Sequence, residues 1–460
     1  MSVARLVLRL PLALSALVLG GCASQWPAYQ APPIDLPAPA SQSIHVDREW
    51  WKAFGSPTLD ALISDALIYN FDLAKAAANV EEARANTAAA ASMLKPRVDG
   101  IAGVDVSKRT FATASSPTDF ERSITSTAVG ASLNWEIDLW GRIRQMNDAS
   151  LARLSASEHA RNATTLSISS AVAETYFQLL SADAKVEITR RAIGYLRNVT
   201  DLESRRWKGG LGTELAYRQS LAELAATDAR LPTLEAAQTK LELALQLLVG
   251  RSPRQLAERV GRDKALNLPD VPREFDSALL LRRPDVASAE QLLVAAHADV
   301  NAARAEIYPR LNLGVLAGFV ASTSSLVSGM PLFFDAQAVL MGPIYDGGLV
   351  QSKIDGAQAR RDKALAHYRY TVSLAFKDAY EALVMREATD RQVNSSEIEV
   401  QTRRKSLSLT QKSYDAGRSS KYEVLSESIK VLNAELALAD ARFVQEVSRS
   451  QYYKALGGGF

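Results

Sequence analysis

The sequence predicts a mixed α/β protein of membrane type, with long helices and four strands per chain, laid out as two copies of one unit. Three observations carry this. The chain repeats itself: Trp207-Lys208-Gly209-Gly210 matches Tyr414-Asp415-Ala416-Gly417 at an offset of 207, and Gly250 matches Gly457 at the same offset. No proline occurs from Thr118 to Leu231 or from Ile344 to Phe460, and Gly194 and Gly356 are the only glycines within Arg142–Lys208 and Leu349–Ala416. Finally, each half carries stretches in which apolar and polar residues alternate with period two.

The elements follow in chain order. Arg5 and Arg9 precede an apolar run, Leu10 to Leu19, too short to span a bilayer but of signal-peptide length. It ends in Leu19-Gly20-Gly21-Cys22, which resembles a lipobox, so residues 1–21 read as a lipoprotein signal peptide and the sole cysteine, Cys22, as the lipid-bearing N-terminus. An ordinary secretory leader with an incidental cysteine is the plainer alternative. Ala23 follows in place of the aspartate that retains lipoproteins at the inner membrane. Residues 22–56 then read as a tether, because Pro27, Pro32, Pro33, Pro37 and Pro39 keep the chain extended.

Residues 57–260 form the expected first repeat and 261–460 the second. Asn70-Phe71-Asp72-Leu73 opens an alanine-rich helix that Pro96 ends; Arg283-Pro284-Asp285-Val286 opens its counterpart, ended by Pro309. Two strands are expected near 97–139 and two near 310–346, the last running from Phe333 to Tyr345. Val98, Ala102, Val104 and Val106 alternate with Asp99, Asp105 and Ser107; Val129, Ala131, Leu133 and Trp135 alternate with Ser132, Asn134 and Glu136; Leu311, Leu313, Val315 and Phe319 alternate with Arg310 and Asn312. Strands of this kind suit a membrane barrel or a soluble half-buried hairpin. In a membrane, four strands cannot close, because an open edge leaves backbone groups unpaired in lipid, so more than one chain must complete the sheet. The uninterrupted helices, at 1.5 Å per residue, would be about 100 Å long. Ala, Ser, Thr and Gln recur where a two-stranded coil would want a Leu/Ile seam, which suits a helix packed between two neighbours in a cylinder. One last helix per repeat is expected, ending at Val249-Gly250 and Leu456-Gly457.

Composition excludes other classes. The excess of 53 basic over 51 acidic residues is accounted for by Arg5 and Arg9, leaving no basic stripe for nucleic acid. Four scattered histidines and one cysteine make no Cys/His metal site or disulfide framework, and six methionines make no thioether ladder. No catalytic constellation is present, so no enzymatic activity is expected.

Several motifs together resemble the outer membrane factor (TolC-like) family, in particular the OprM-like lipoprotein branch that serves resistance-nodulation-division (RND) efflux pumps. They are Trp50-Trp51-x-x-Phe54, Leu59-x-x-Leu62, Asn70-x-Asp72-Leu73, Asp138-Leu139-Trp140-Gly141-Arg142, Leu281-x-Arg283-Pro284-Asp285-Val286-x-x-Ala289-Glu290, Tyr308-Pro309, Tyr345-Asp346-x-Gly348 and Tyr414-x-x-Gly417. The resemblance implies a homotrimer in the outer membrane whose twelve strands close one β-barrel and whose long helices form a periplasmic tunnel. It implies an exit duct for a tripartite RND pump, with a periplasmic adaptor and an inner-membrane pump as partners and no cofactor beyond the lipid on Cys22. It also implies a gate at the inner end of the tunnel: Tyr414 matches the family's gate tyrosine and Glu423 its first acidic position. Ser426 replaces the second acid, leaving Asp415 or Glu427 to substitute, with Arg418 nearby. As ordinary residues, Glu423 and Arg418 would simply be solvated charges. The competing readings are a type I secretion exit channel and a coiled-coil envelope lipoprotein without a pore; the latter leaves the four strands unexplained.

Overall fold

The computed structural model describes residues 26–33, 47–111, 120–251, 266–269, 280–322 and 331–459; the leader, Cys22, Pro37 and Pro39 lie outside the described residues. The chain divides into two compact units. One comprises Met1–Pro33, Val80–Ser157 and Ala289–Tyr368, the other Ile34–Asn79, Glu158–Ser288 and Arg369–Phe460.

The first unit holds the sheet. Strands β1 (Arg97–Phe111), β2 (Phe120–Ile137), β3 (Arg310–Ser322) and β4 (Leu332–Met341) lie in the order β1-β2-β3-β4, every neighbour antiparallel. The register aligns Val98 with Leu133, Leu133 with Val315 and Val315 with Ala336. Because side chains alternate along a strand, one face collects Val98, Val104, Val129, Leu133, Leu313, Phe319, Phe334 and Leu340. The opposite face collects Asp99, Asp105, Ser132, Asn134, Glu136, Asn312, Asp335 and Gln337. The alternation read from the sequence thus carries across β1, β2 and β3, and less cleanly into β4, where Phe333, Val339 and Met341 share the second face. At the centre, Gly130 faces Gly318, and a Cβ on Gly318 would lie 2.4 Å from the Val129 carbonyl oxygen.

Two strand limits differ from expectation. β2 begins at Phe120 rather than near Ser126, and β4 ends at Met341 rather than Tyr345. Pro343 explains the second, since it has no N–H to give to the ladder.

Both long helices start on an aspartate. Asp138 accepts the N–H groups of Ile143 at 3.1 Å and Arg144 at 2.9 Å, opening α3 (Arg142–Lys208). Asp346 accepts those of Gly348 at 2.9 Å and Val350 at 2.8 Å, opening α7 (Leu349–Asp415). These backbone donors stabilise the charged carboxylate and hold Asp346 below the usual carboxylate range. Each helix runs 67 residues without a break, as the absence of proline predicts. α2 (Phe71–Ser92) and α6 (Pro284–Ala305) stop ahead of Pro96 and Pro309.

The second unit holds the core. Trp50–Phe54 is not extended tether but a 3-10 turn, with Trp50, Trp51 and Phe54 buried against Leu59 and Ile63 of α1 (Pro57–Tyr69), Val172, Tyr176 and Phe177 of α3, and Leu245 and Val249 of α5 (Leu231–Val249). Full burial of each such side chain contributes about 1.5–3 kcal/mol. Ser56 caps α1 by accepting from the Leu59 N–H at 3.2 Å and lies 3.2 Å from the buried Tyr176 hydroxyl. The repeats then diverge. The second ends in one helix, α8 (Lys421–Ala455), whereas the first ends in two, α4 (Glu214–Asp228) and α5. Pro232, in the first turn of α5, gives the physical reason, since a continuous helix would need an N–H there.

Candidate gate in the turns that end the long helices

The two turns are built alike. After α3, the Leu211 N–H donates to Arg206 O at 2.8 Å; after α7, the Arg418 N–H donates to Ser413 O at 2.8 Å. Gly210 and Gly417 between them both have φ of 71°, the left-handed conformation that such six-to-one closures need. Thr213 and Ser420 then cap α4 and α8, accepting from the Ala216 and Glu423 N–H groups. The 207-residue offset in sequence therefore reappears as one turn motif used twice.

Tyr414 is the joint between the turns. Its hydroxyl accepts from Arg206 Nη1 at 2.7 Å, and Lys421 Nζ lies 4.9 Å from its ring centroid. Glu203, with only 5% of its side chain exposed, stands 3.8 Å from Arg206. One tyrosine thus links α7 to the end of α3 through a hydrogen bond and to the start of α8 through a cation over its ring. Beside it, Trp207 stacks on Tyr217 with centroids 5.4 Å apart, joining α3 to α4.

The acidic candidates are engaged locally. Glu423 is held at the cap of α8: its carboxylate accepts from the Ser420 hydroxyl at 3.2 Å, and its N–H donates to that hydroxyl oxygen at 3.3 Å. Asp415 accepts from Gln411 at 2.8 Å, and Glu427 pairs with Lys430 at 2.6 Å. Arg418 shapes the turn through its backbone. Within one chain the structure does not gather Asp415, Glu423 and Glu427 into a cluster. It brings Tyr414 together instead with Arg206 and Lys421, which sequence reasoning did not single out. One signal was available for Arg206: it precedes Trp207, the repeat partner of Tyr414.

Among the described residues, no group of three or more His, Cys, Asp or Glu is placed to hold a metal. The concavity lined by Ile188, Tyr195, Leu196, Leu407, Leu432 and Glu435 is largely apolar. Burial pushes its Tyr195 hydroxyl up, against a hydrogen bond to Ser428. The chemistry on view is that of weak, breakable links between helix ends.

Known proteins resemble this chain along its length. The chain is 32% identical over 469 residues to the pyoverdine export outer membrane protein OpmQ of Pseudomonas putida, covering 100% of this chain and 98% of that one. It is 26% identical over 455 residues to a probable outer membrane lipoprotein, SilC, of Salmonella typhimurium, covering 96% and 97%. The outer membrane channel CmeC of Campylobacter jejuni superposes with a TM-score of 0.87 at 25% identity, over 95% of each chain. The model of the outer membrane efflux protein family matches residues 62–251 and 277–458, one stretch for each copy of the repeat. With the doubled turns, the two-faced sheet and these matches along its length, the chain belongs to the outer membrane efflux protein family.

Proposed function

We propose that three copies of this chain form the exit duct of a tripartite efflux pump in the outer membrane. The observation that carries this is the sheet. It has one apolar and one polar face, both edges open, and too few strands to close alone. Three chains supply twelve strands, with Val98, Val129, Phe319 and Phe334 toward lipid and Asp99, Ser132, Asn312 and Gln337 toward water. The long helices form the periplasmic tunnel, and an adaptor and an RND pump in the inner membrane deliver solutes to it. Cys22 carries the N-acyl and diacylglycerol lipid, as its lipobox implies.

The gate lies at the turns after α3 and α7. Tyr414, Asp415, Arg418, Glu423 and Glu427 line it, and the Arg206–Tyr414 hydrogen bond latches one helical pair to the other. The latch is weak, about 0.5–1.5 kcal/mol, so modest differential contacts from an adaptor can release it.

Native mass measurement in detergent, combined with planar-bilayer conductance, tests the reading. It requires three chains and a conducting pore. A monodisperse monomer that conducts would overturn the closed-barrel reading, and a trimer with no conductance in any state would overturn the duct.

A further inference from the structure

The two repeats set one polar tie in different surroundings. In the first, Gln238 of α5 donates to Asp183 of α3 at 2.6 Å; in the second, Gln445 of α8 donates to Asp390 of α7 at 2.8 Å. Both residues of the second pair stand 207 positions after those of the first, the offset of the repeat. Beside the first tie the adjoining positions are leucines: Leu179, Leu241 and Leu245 lie in or against the core that holds Trp50. Their counterparts, again 207 positions on, are Arg386, Ser448 and Tyr452. The second repeat has exchanged three apolar side chains for three that donate hydrogen bonds.

These donors are buried and lie on one stripe. Gln445, Ser448, Arg449 and Tyr452 follow at i, i+3, i+4 and i+7 along α8, while Arg386 and Asp390 stand one turn apart on α7. Arg449 grips Asp390 through a single nitrogen, Nη2, at 2.7 and 2.8 Å from its two oxygens. A guanidinium can meet a carboxylate with two nitrogens side by side, so this grip leaves most of it unused. Among the described residues, Arg449 Nε and Nη1, the Ser448 hydroxyl and the Tyr452 hydroxyl have no hydrogen-bond partner. Arg449, Ser448 and Tyr452 are only 6%, 3% and 2% exposed, and a buried donor without an acceptor is costly. Burial, with Tyr453 beside it, pushes the Tyr452 hydroxyl up to about 12, so it keeps its proton at neutral pH; Arg386 works against that rise. The hydroxyl therefore feels a positive charge.

The two guanidinium nitrogens can only donate, and both hydroxyls can donate as well. A water molecule at such a site would have to return protons, which only the hydroxyl oxygens could take. An anion accepts from all four groups and offsets the charge of Arg386 and Arg449, against which Asp390 sets one carboxylate. We infer that the stripe of Ser448, Arg449 and Tyr452 holds a small monovalent anion, chloride, between α7 and α8. Chloride accepts from any direction and sheds its hydration more readily than phosphate or sulfate, which suits residues so little exposed. Bound there, it adds a second link between the two helices beside the Asp390 bridge. The site goes beyond the exit-duct reading and does not depend on it.

The test uses the full-length protein, purified in detergent and exchanged into sodium chloride, bromide or gluconate at equal ionic strength. Crystals grown in bromide should show an anomalous peak within hydrogen-bonding reach of Arg449 and the Tyr452 hydroxyl. Amide exchange across residues 445–455 should slow as chloride replaces gluconate. Tyr452→Phe keeps the ring and removes one donor, so it should raise the half-effective chloride concentration about tenfold, a hydrogen bond to a charged group being lost. Ser448→Ala should shift it in the same direction. Arg449→Leu should abolish the chloride response; because it also strips Asp390 of its arginine, the Tyr452→Phe comparison stands in its place if that variant does not fold. Water alone at the site in bromide crystals, equal exchange in chloride and gluconate, or a Tyr452→Phe effect of the same size in both salts overturns the inference. None of these outcomes touches chain number or pore conductance, whose failure would instead strike the function proposed above.

Discussion

Asn70 and Arg283 grip equivalent carbonyls at the ends of two different helices. Asn70 Nδ2 donates to Leu248 O at 2.8 Å, and Arg283 Nη1 donates to Ala455 O at 3.1 Å. Leu248 and Ala455 stand at the repeat offset of 207. Each grip also fixes a neighbouring helix: Asn70 Oδ1 accepts from the N–H groups of Asp72 and Leu73, while Arg283 pairs with Asp285 at 2.8 Å and Asp378 at 3.3 Å. The left-handed glycines Gly250 and Gly457 follow at once, and a Cβ on Gly250 would lie 2.1 Å from Tyr69 O.

This relationship makes Arg283→Ala costly. The guanidinium is buried, and removing it leaves a helix-end carbonyl without its donor, while Asp285 and Asp378, about a third exposed, keep the Val286 N–H and Lys377; the loss is about 1–3 kcal/mol. Arg283→Lys should recover little, because one ammonium cannot reach a carbonyl and two carboxylates in a fixed fork. Thermal melting of the detergent-solubilised protein measures both; equal stability of the lysine variant and the parent would show that charge alone matters.

Much of this was legible beforehand, for reasons that can be named. Proline marks where a backbone N–H is missing, so the ends of α2 and α6 and the unbroken runs of α3 and α7 could be read directly. The split of α4 from α5 was equally visible at Pro232, but the strength of the repeat suggested one helix per copy. Ser420-x-x-Glu423 is a capping-box pattern, and its structural use competes with the acidic gate role assigned by resemblance. Arg206–Tyr414 was hidden, because a partner 208 positions away has no local spacing to betray it. For the same reason Trp26 read as part of a featureless tether, although its indole is held by the Tyr308 ring and the Trp140 carbonyl.

Gly318→Val should break the sheet at its centre. The added Cβ would meet Val129 O at 2.4 Å and Gly130 Cα at 2.6 Å, and both are backbone atoms that cannot swing away. Gly103→Val, on the same face of β1 with nothing within 4 Å of its Cβ, is the control. Heat-modifiable mobility on gels should fall sharply for the first and little for the second. Equal behaviour would mean that β2 and β3 pair in another register.

Glu446 on α8 gives the protein a pH-dependent weakness. Burial pushes its carboxyl up to about 7 from the ordinary 4.5, with Arg442 opposing only in part. Between these values the folded protein holds a proton that the unfolded chain has released, so stability falls as pH rises from 4.5 to 7 and levels off above. At pH 8 the charged form costs about 3 kcal/mol. Glu446→Gln should therefore melt higher than the parent at pH 8 and match it near pH 4.5. A constant gap across that range would assign the effect to packing instead.

The gate prediction concerns coupling. Tyr414→Phe removes the hydroxyl that accepts from Arg206 but keeps the ring beneath Lys421, whereas Arg206→Ala removes the donor. If the hydrogen bond is the latch, each single variant should raise single-channel conductance, and the double variant should open the pore no further than either alone. Tyr414→Ala should open it further, because the contact with Lys421 is lost as well. Replacing Glu423 tests the competing idea. Glu423→Gln keeps much of the capping geometry while deleting the charge, so an acidic gate predicts a conductance change and the tyrosine latch predicts none. Trimer stability should move by less than about 1 kcal/mol throughout, since these side chains close turns and lie away from the core around Trp50 and Tyr176. Vancomycin sensitivity of cells lacking the pump gives the same comparison in the envelope. If the Phe and Ala variants at 414 conduct like the parent while Glu423→Gln opens the pore, closure resides in the acids and the latch is only a structural tie.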